Sequence, residues 1–321
     1  MGIKYLNRFL VNGCKSSESI SKQHLQLLSN KTIAIDTSIY MYKYTAQDAL
    51  IEQFYLMISI FRKYNISPIF IFDGKPPPEK WELLKHRQMV KNQAEKKYTE
   101  MQLEITKSDN KQECLDMIIE MESLKKQFVR LRFNDIQKIK TLFQFYGVSY
   151  YDAMGEADRV CAALVINGKA WACLSDDMDM FVYGCPRVLR HLSLANNTVL
   201  FYDTNRILQD LELSLDAFKQ IAVLCGTDYN TTQSISIYDS MECYKLFSVS
   251  FTINGNTNTF YEWLHETTTY ISNYESLIAA YNMFSISDNE LYMKEFDPIS
   301  NKSFDIEQLK QFMVNDGFIF I

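Results

Sequence analysis

Pro68-Ile69-Phe70-Ile71-Phe72-Asp73-Gly74-Lys75-Pro76-Pro77-Pro78 decides the fold. An apolar run closes on an acidic residue and a tight turn, and prolines then set the direction of a long helical stretch. Short apolar runs bounded by turn signals suit strands covered on both faces. Outward from it, the pattern recurs. Residues 31–35 form an apolar run followed by Asp36, and residues 170–174 form one followed by Ser175-Asp176-Asp177-Met178-Asp179. Residues 148–151 predict a further strand ahead of Glu156, and 188–192 and 199–202 two more around Asn196-Asn197. Helical stretches are predicted over 46–64, 156–167 and 215–224. This βαβα alternation predicts an α/β fold with a mostly parallel sheet flanked by helices.

Between 79 and 146 there is neither Pro nor Gly, and Lys, Glu, Gln, Met and Leu dominate. These are good helix formers, so long helices projecting from the sheet are expected. From Tyr238 onward the chain is rich in Tyr and Asn, with mixed signals.

The 321 residues are 47% apolar and 22% charged, ordinary for a folded soluble protein. No apolar run approaches the ~18 residues that a membrane span requires. No signal segment opens the chain. Met1-Gly2 fails as a myristoylation start because position 6 is Leu6. The expectation is therefore a cytoplasmic protein without a membrane partner. Seven cysteines are scattered without any C-x-x-C pair, which suits free thiols in a reducing compartment and argues against zinc.

The net charge of -6 hides an asymmetry. Residues 1–74 carry 8 basic and 5 acidic side chains, residues 75–140 carry 15 and 11, and residues 141–321 carry 10 and 23. A basic half beside an acidic half suits a phosphate-binding surface next to a metal-binding pocket.

Asp36, Asp73, Asp177 and Asp179 each follow a predicted strand; Glu156 and Asp158 open a predicted helix, and Asp228 follows the Cys225-Gly226 break. Each has an ordinary structural reading alone, as a turn, a loop charge or a complement to a helix dipole. Jointly they fall along the carboxyl edge of a parallel sheet, where open α/β folds build their sites. Packed carboxylates repel and take up protons unless cations neutralise them. Oxygen ligands without His or Cys select Mg²⁺, with Mn²⁺ as a substitute. Such a set can hold two ions ~3.5–4 Å apart, the arrangement used for phosphodiester hydrolysis. Lys80, Arg87 and Lys91, spaced by seven and four, share a helix face next to Asp73. Cations there can clamp a scissile phosphate.

Taken together, Ile33-Ala34-Ile35-Asp36, Phe72-Asp73-Gly74-Lys75-Pro76-Pro77, Gly155-Glu156-Ala157-Asp158, Asp176-Asp177-Met178-Asp179 and Gly226-Thr227-Asp228-Tyr229 occur in an order that resembles flap endonucleases of the XPG family. The chain most resembles the divergent flap-endonuclease-like proteins of poxviruses, over about residues 1–230, with 304–318 similar to the stretch closing the nuclease core. The resemblance implies a PIN-like twisted sheet, a helical arch and a divergent helix-two-turn-helix region. It divides the chain into an N-terminal region (1–78), an arch insertion (79–140), an internal nuclease region (141–230) and a C-terminal DNA-binding region (231–321). It implies two Mg²⁺ ions and cleavage of 5′ flaps in DNA replication, repair or recombination. It assigns Asp36, Asp73, Glu156 and Asp158 to the first ion and Asp177, Asp179 and Asp228 to the second, with Asp158 between them. Lys80 and Arg87 match the catalytic basic pair, Tyr42 the aromatic on which a flipped base stacks, and Gly2 the small residue that lets the N-terminus approach DNA.

Three departures stand out. Asp158 replaces a Glu of the family, one methylene longer. Ser234-Ile235-Ser236-Ile237 replaces a glycine-containing turn that binds duplex backbone and a monovalent ion. No sliding-clamp peptide is seen before Ile321. Branched or flapped DNA is the expected partner, with viral or cellular replication and repair proteins recruiting the chain. Two other readings are a nuclease-like scaffold that binds DNA without cutting, and a PIN-class RNase.

Overall fold

The computed structural model describes residues 2–105, 111–230, 235–254, 258–286 and 304–319. Its sheet contains β1 (Ile20–His24), β2 (Thr32–Asp36), β3 (Ser67–Phe72), β4 (Ser149–Asp152), β5 (Ala172–Leu174), β6 (Arg187–Ser193) and β7 (Thr198–Asp203), in the order β1-β7-β6-β5-β2-β3-β4. From β4 to β6 every neighbouring pair is parallel. The β6–β7 and β7–β1 pairs are antiparallel, so the sheet is mixed at one side. The short link between β6 and β7, with Asn197 at φ 53°, permits only an antiparallel return.

The period-two alternation of the strands builds two cores. Ile33 and Ile35 face one, Ala34 the other; Phe70 and Phe72 face the first, Ile71 the second; Leu174 and Cys173 divide likewise. The first core is covered by α2 (Thr37–Thr45), α3 (Leu50–Lys63) and α6 (Phe133–Tyr146). The second is covered by α1 (Leu6–Gly13), α7 (Ala157–Ile166), α8 (Asp179–Val182), α9 (Thr204–Leu211) and α10 (Leu215–Leu224).

The helix predicted over 46–64 starts later, as α3 (Leu50–Lys63), and the preceding residues 37–45 form a separate helix, α2. The chain breaks between α2 and α3, where Asp48 adopts φ 53° in the left-handed region. β1 was not anticipated because Ile20-Ser21-Lys22-Gln23-His24 is mostly polar, as befits an edge strand.

Long helices do fill the proline-free stretch. α4 (Trp81–Ile105) and α5 (Lys111–Gln127) lie against each other, with Ala94, Met101 and Leu124 buried between them. Lys97 pairs with Glu120, and Lys91 reaches the carbonyl of Val129, so the two helices run antiparallel. α6 leaves this pair and packs on the sheet instead.

The C-terminal part is helical: α11 (Ile237–Asn254), α12 (Phe260–Thr267), α13 (Tyr274–Met283) and α14 (Ile306–Asn315). α14 inserts Leu309 and Met313 into the first core. Of the altered Ser-Ile-Ser-Ile turn, Ser234 lies outside the described residues. Ser236 exchanges hydrogen bonds with Asp239 at the start of α11.

Phe143 of α6 stacks on Phe70 of β3 with ring centroids 4.1 Å apart and is fully buried. Phe143→Ala should cost ~3–5 kcal/mol of stability by urea unfolding, the usual loss for a buried aromatic. A loss under ~1 kcal/mol would show that α6 is dispensable to the sheet.

Candidate active site

The chain runs outward from β2 to β3 and β4, then returns across β2 to β5. That reversal opens a crevice at the carboxyl ends of the strands. Asp36 is the last residue of β2, Asp73 follows β3, Glu156 and Asp158 open α7 after β4, and Asp177 and Asp179 follow β5. Asp228 follows α10. Six of them, Asp36, Asp73, Glu156, Asp158, Asp177 and Asp228, line one cavity of about 280 Å³. Asp179 stands beside them, only 2% exposed. All seven predicted carboxylates therefore come together.

Local bonds set their directions. Asp73 Oδ1 accepts from the Ala157 N–H at 2.8 Å, the free amide of the first turn of α7. The loop beyond Asp73 is pressed on 153–155: Gly74 N–H donates to the Gly155 carbonyl at 2.7 Å, and a Cβ on Gly74 would lie 2.0 Å from the Ala153 carbonyl oxygen. Only glycine allows that approach. Ser175 Oγ donates to Asp36 Oδ2 and accepts from the Asp177 N–H, each at 3.2 Å. Asp177 Oδ1 accepts from the Asp179 N–H at 3.1 Å.

Burial pushes the carboxyls of Asp36, Asp158 and Asp179 well above the usual carboxylate range, and neighbouring carboxylates push them further. Asp73 and Asp177 act on Asp36, Glu156 on Asp158, and Asp177 on Asp179. Among the described residues, buried Asp179 Oδ1 finds no hydrogen-bond partner. An all-oxygen set of mutually repelling carboxylates, one with an orphaned oxygen, fits a hard divalent cation. Among the described residues no three such side chains form a ready cage. Lys80 and Arg87 stand among them, paired with Glu156 and Asp228.

Lys80 is bonded to Glu156 and lies 3.3 Å from Asp228 Oδ2. Burial opposes its charge, but Asp158, Glu156 and Asp228 together raise its pKa above the lysine range. Arg87 Nη2 donates to both oxygens of Asp228, at 3.1 and 3.0 Å. Both predicted cations thus reach the carboxylate edge. Lys91 does not. It donates to the Val129 carbonyl at 3.0 Å and sits 4.7 Å from the Tyr42 ring centroid. Burial and the charges of Arg130 and Arg87 hold Lys91 below the lysine range.

Tyr42 lines the cavity and is 41% exposed, so it is a wall residue rather than core. Gly2, at φ 81°, abuts the acidic loop: a Cβ there would come within 2.6 Å of Asp177 Oδ1 and 2.7 Å of Asp179 Oδ1.

Several contributors were not anticipated. Tyr229 donates to Glu156, although its neighbour Asp228 had drawn attention to that segment. Buried Arg190 donates to the Asp176 carbonyl at 2.9 Å and to Asn7 Oδ1 at 2.7 Å, fixing the acidic loop to α1. A charge inside the apolar run 188–192 was the available signal. The Asp176 carboxylate accepts from the His191 N–H at 2.7 Å, an architectural role outside the cavity lining.

Family comparison agrees with this geometry. The XPG N-terminal domain profile matches residues 1–94 and the XPG I-region profile residues 147–228. The chain is 30% identical to flap endonuclease 1 of Methanococcus aeolicus, over 95% of its own length and 90% of that protein. It is 31% identical to flap endonuclease 1 of Zea mays, over 71% of its length and 62% of that protein. Its fold matches the catalytic core of Rad2 in complex with a DNA substrate, with a TM-score of 0.66 at 22% identity, covering 99% and 95% of the two chains. It also matches flap endonuclease-1 from Methanococcus jannaschii, with a TM-score of 0.58 at 20% identity, covering 94% and 92%. Sequence, sheet topology and the gathered carboxylates lead to one assignment: the chain belongs to the XPG flap-endonuclease family of metal-dependent, structure-specific nucleases.

Proposed function

We propose that this chain hydrolyses phosphodiesters at 5′ flaps or related junctions in DNA, with Mg²⁺ as its working ion. The observation that carries the reading is the meeting of seven carboxylates with Lys80 and Arg87 around one cavity. Relatives named flap endonuclease 1, the Rad2 core bound to DNA substrate and human GEN1 bound to a Holliday junction support the branched-DNA part.

In this proposal Asp36, Asp73, Glu156 and Asp158 hold one ion, Asp177, Asp179 and Asp228 the other, with Asp158 between. Bound divalent ions supply an activated water and polarise the attacked phosphate. The protein's own groups do the rest. Lys80 and Arg87 exchange carboxylate oxygens for phosphate oxygens and neutralise charge that grows during attack. Water adds to phosphorus, and the leaving strand departs with its oxygen protonated; no covalent protein nucleophile is required. Tyr42 offers its ring at the cavity wall to an unpaired base, a contact worth ~1–3 kcal/mol in single-strand binders. Lys91, lying over that ring, reaches the phosphate beside the same base. Gly2 keeps the Asp177–Asp179 loop free of side-chain bulk.

In the same proposal the antiparallel α4–α5 pair is the arch that receives single-stranded DNA, and the helices from α11 onward contact the duplex. A non-cutting scaffold is less well supported, because it leaves the orphaned Asp179 oxygen and the clustered carboxylates without a purpose. An RNase reading has no specific observation in its favour. In the same proposal the chain is most like the flap-endonuclease-like proteins of poxviruses and acts at cytoplasmic replication sites. The free state of all seven cysteines supports a reducing compartment.

Two outcomes test the reading. Asp179→Ala should lower Mg²⁺-dependent cutting of a 5′-flap duplex by more than the ~100-fold typical of losing a supporting partner, while DNA binding by fluorescence anisotropy persists. Full activity in that variant would sink the assignment, and a panel of 3′-flap, nicked, gapped and four-way substrates decides the junction preferred. Gly2→Val, which drives a side chain into Asp177 and Asp179, should weaken Mn²⁺ binding by ~10–100-fold in calorimetry. Unchanged affinity would show that the contact between Gly2 and this loop is immaterial.

A further inference from the structure

Glu156 is a thin wall between two cavities. One is the acidic cavity; the other, about 320 Å³, lies behind it and is lined by Tyr151, Val160, Tyr183, Tyr229 and Met283 among others. A carboxylate with space on both sides needs something to choose its direction. The structure supplies two partners on different oxygens: Lys80 Nζ on Oε1 and the Tyr229 hydroxyl on Oε2. A carboxylate only accepts, so the Tyr229 proton must point at Glu156. The Tyr183 hydroxyl lies 3.0 Å from that of Tyr229. With the Tyr229 proton committed, Tyr183 donates into its remaining lone pair. Such chains polarise one another and strengthen the terminal bond. The Tyr229 ring also faces Lys80, whose Nζ is 5.4 Å from the ring centroid. One side chain therefore contacts both members of the ion pair.

The tyrosine pair is backed from the C-terminal helices. Phe284, fully buried at the end of α13, meets the Tyr183 ring at 5.0 Å and the Tyr229 ring at 5.3 Å between centroids. Its backbone is clamped by cations. Lys219 of α10 donates to the Phe284 carbonyl at 3.2 Å, and Arg159 of α7 donates to the Met283 and Ser285 carbonyls at 3.5 and 2.9 Å. Cations at carbonyls in the last turn of a helix complement its dipole. Burial holds Lys219 below the lysine range, and the charge of Asp216 does not reverse it.

We propose that Tyr229, supported by Tyr183 and Phe284, is a positioning residue that fixes Glu156 and Lys80 at the reacting centre and couples them to helix α13. It acts through those two groups and does not touch the phosphate. The inference rests on the nuclease reading above, and adds to it a link between the C-terminal helices and the chemistry.

The test uses the full chain and a 5′-flap duplex with Mg²⁺. Tyr229→Phe keeps the ring and removes the donor. Its kcat should fall ~10–100-fold, the range for losing a hydrogen bond to a charged group, while KM and the melting temperature stay as in the parent. In a Glu156→Gln background the same change should add little, since residues acting as a unit are not additive. Phe284→Leu, remote from the carboxylates, should lower kcat in the same direction. A Tyr229→Phe variant with parental kcat, or one fully additive with Glu156→Gln, overturns the proposal. If the parent chain cuts neither this substrate nor any other junction of the panel, the nuclease reading falls instead. Mn²⁺ calorimetry then decides on Tyr229: weaker binding in Tyr229→Phe supports the positioning role, and unchanged binding overturns it.

Discussion

Seven acidic side chains share one sheet edge, and like charges this close cannot all remain ionised without cations among them. Much around the edge answers that constraint. Lys80 and Arg87 enter from the start of the arch and take up Glu156 and Asp228. The free amide of Ala157 takes up Asp73, and Ser175 takes up Asp36. What these donors do not satisfy is concentrated at Asp179, whose Oδ1 has no partner among the described residues. The same repulsion that makes the edge costly to fold makes it receptive to hard cations. Stability and catalysis are opposed at this spot, as is common where charges are held ready for chemistry.

The arch is joined to this balance at its base. Arg87 lies within α4, and its partner Asp228 follows α10, far along the chain. In the proposed reaction a phosphate arriving in the cavity competes with Asp228 for the guanidinium and with Glu156 for the Lys80 ammonium. Substrate entry thus frees carboxylates at the moment ions and phosphate need them. The ion pairs seen here act as placeholders, and exchanging one anion for another costs less than desolvating a bare cation.

The parts of this design legible in the sequence were those written in local signals. Apolar runs ending in Asp located β2, β3 and β5 and placed Asp36, Asp73, Asp177 and Asp179 at one edge. The missing Pro and Gly announced the arch helices, and the spacing of Lys80 and Arg87 put both cations near Asp73. Features set by distant contacts stayed hidden. The polar β1 exists because β7 offers it an edge. The break between α2 and α3 rests on a left-handed Asp48 rather than on a Pro or Gly. Tyr229 could be read as part of the Gly-Thr-Asp-Tyr motif, but its partner Glu156 lies on another element and only folding joins them. Lys91 shared a helix face with Arg87, yet its length carries it to Val129 and Tyr42 rather than to the acidic edge.

The packing of Gly2 against Asp177 and Asp179 has a consequence for how the molecule comes into being. Gly2 docks onto a loop made much later in the chain, and Asn7 is held by Arg190 still further along. Closing so long a loop is entropically costly and repaid only when β5 and β6 are in place. Asp228 emerges later again. A partly synthesised chain can therefore hold much of the sheet without the carboxylate edge, which is complete only once Asp228 has been added.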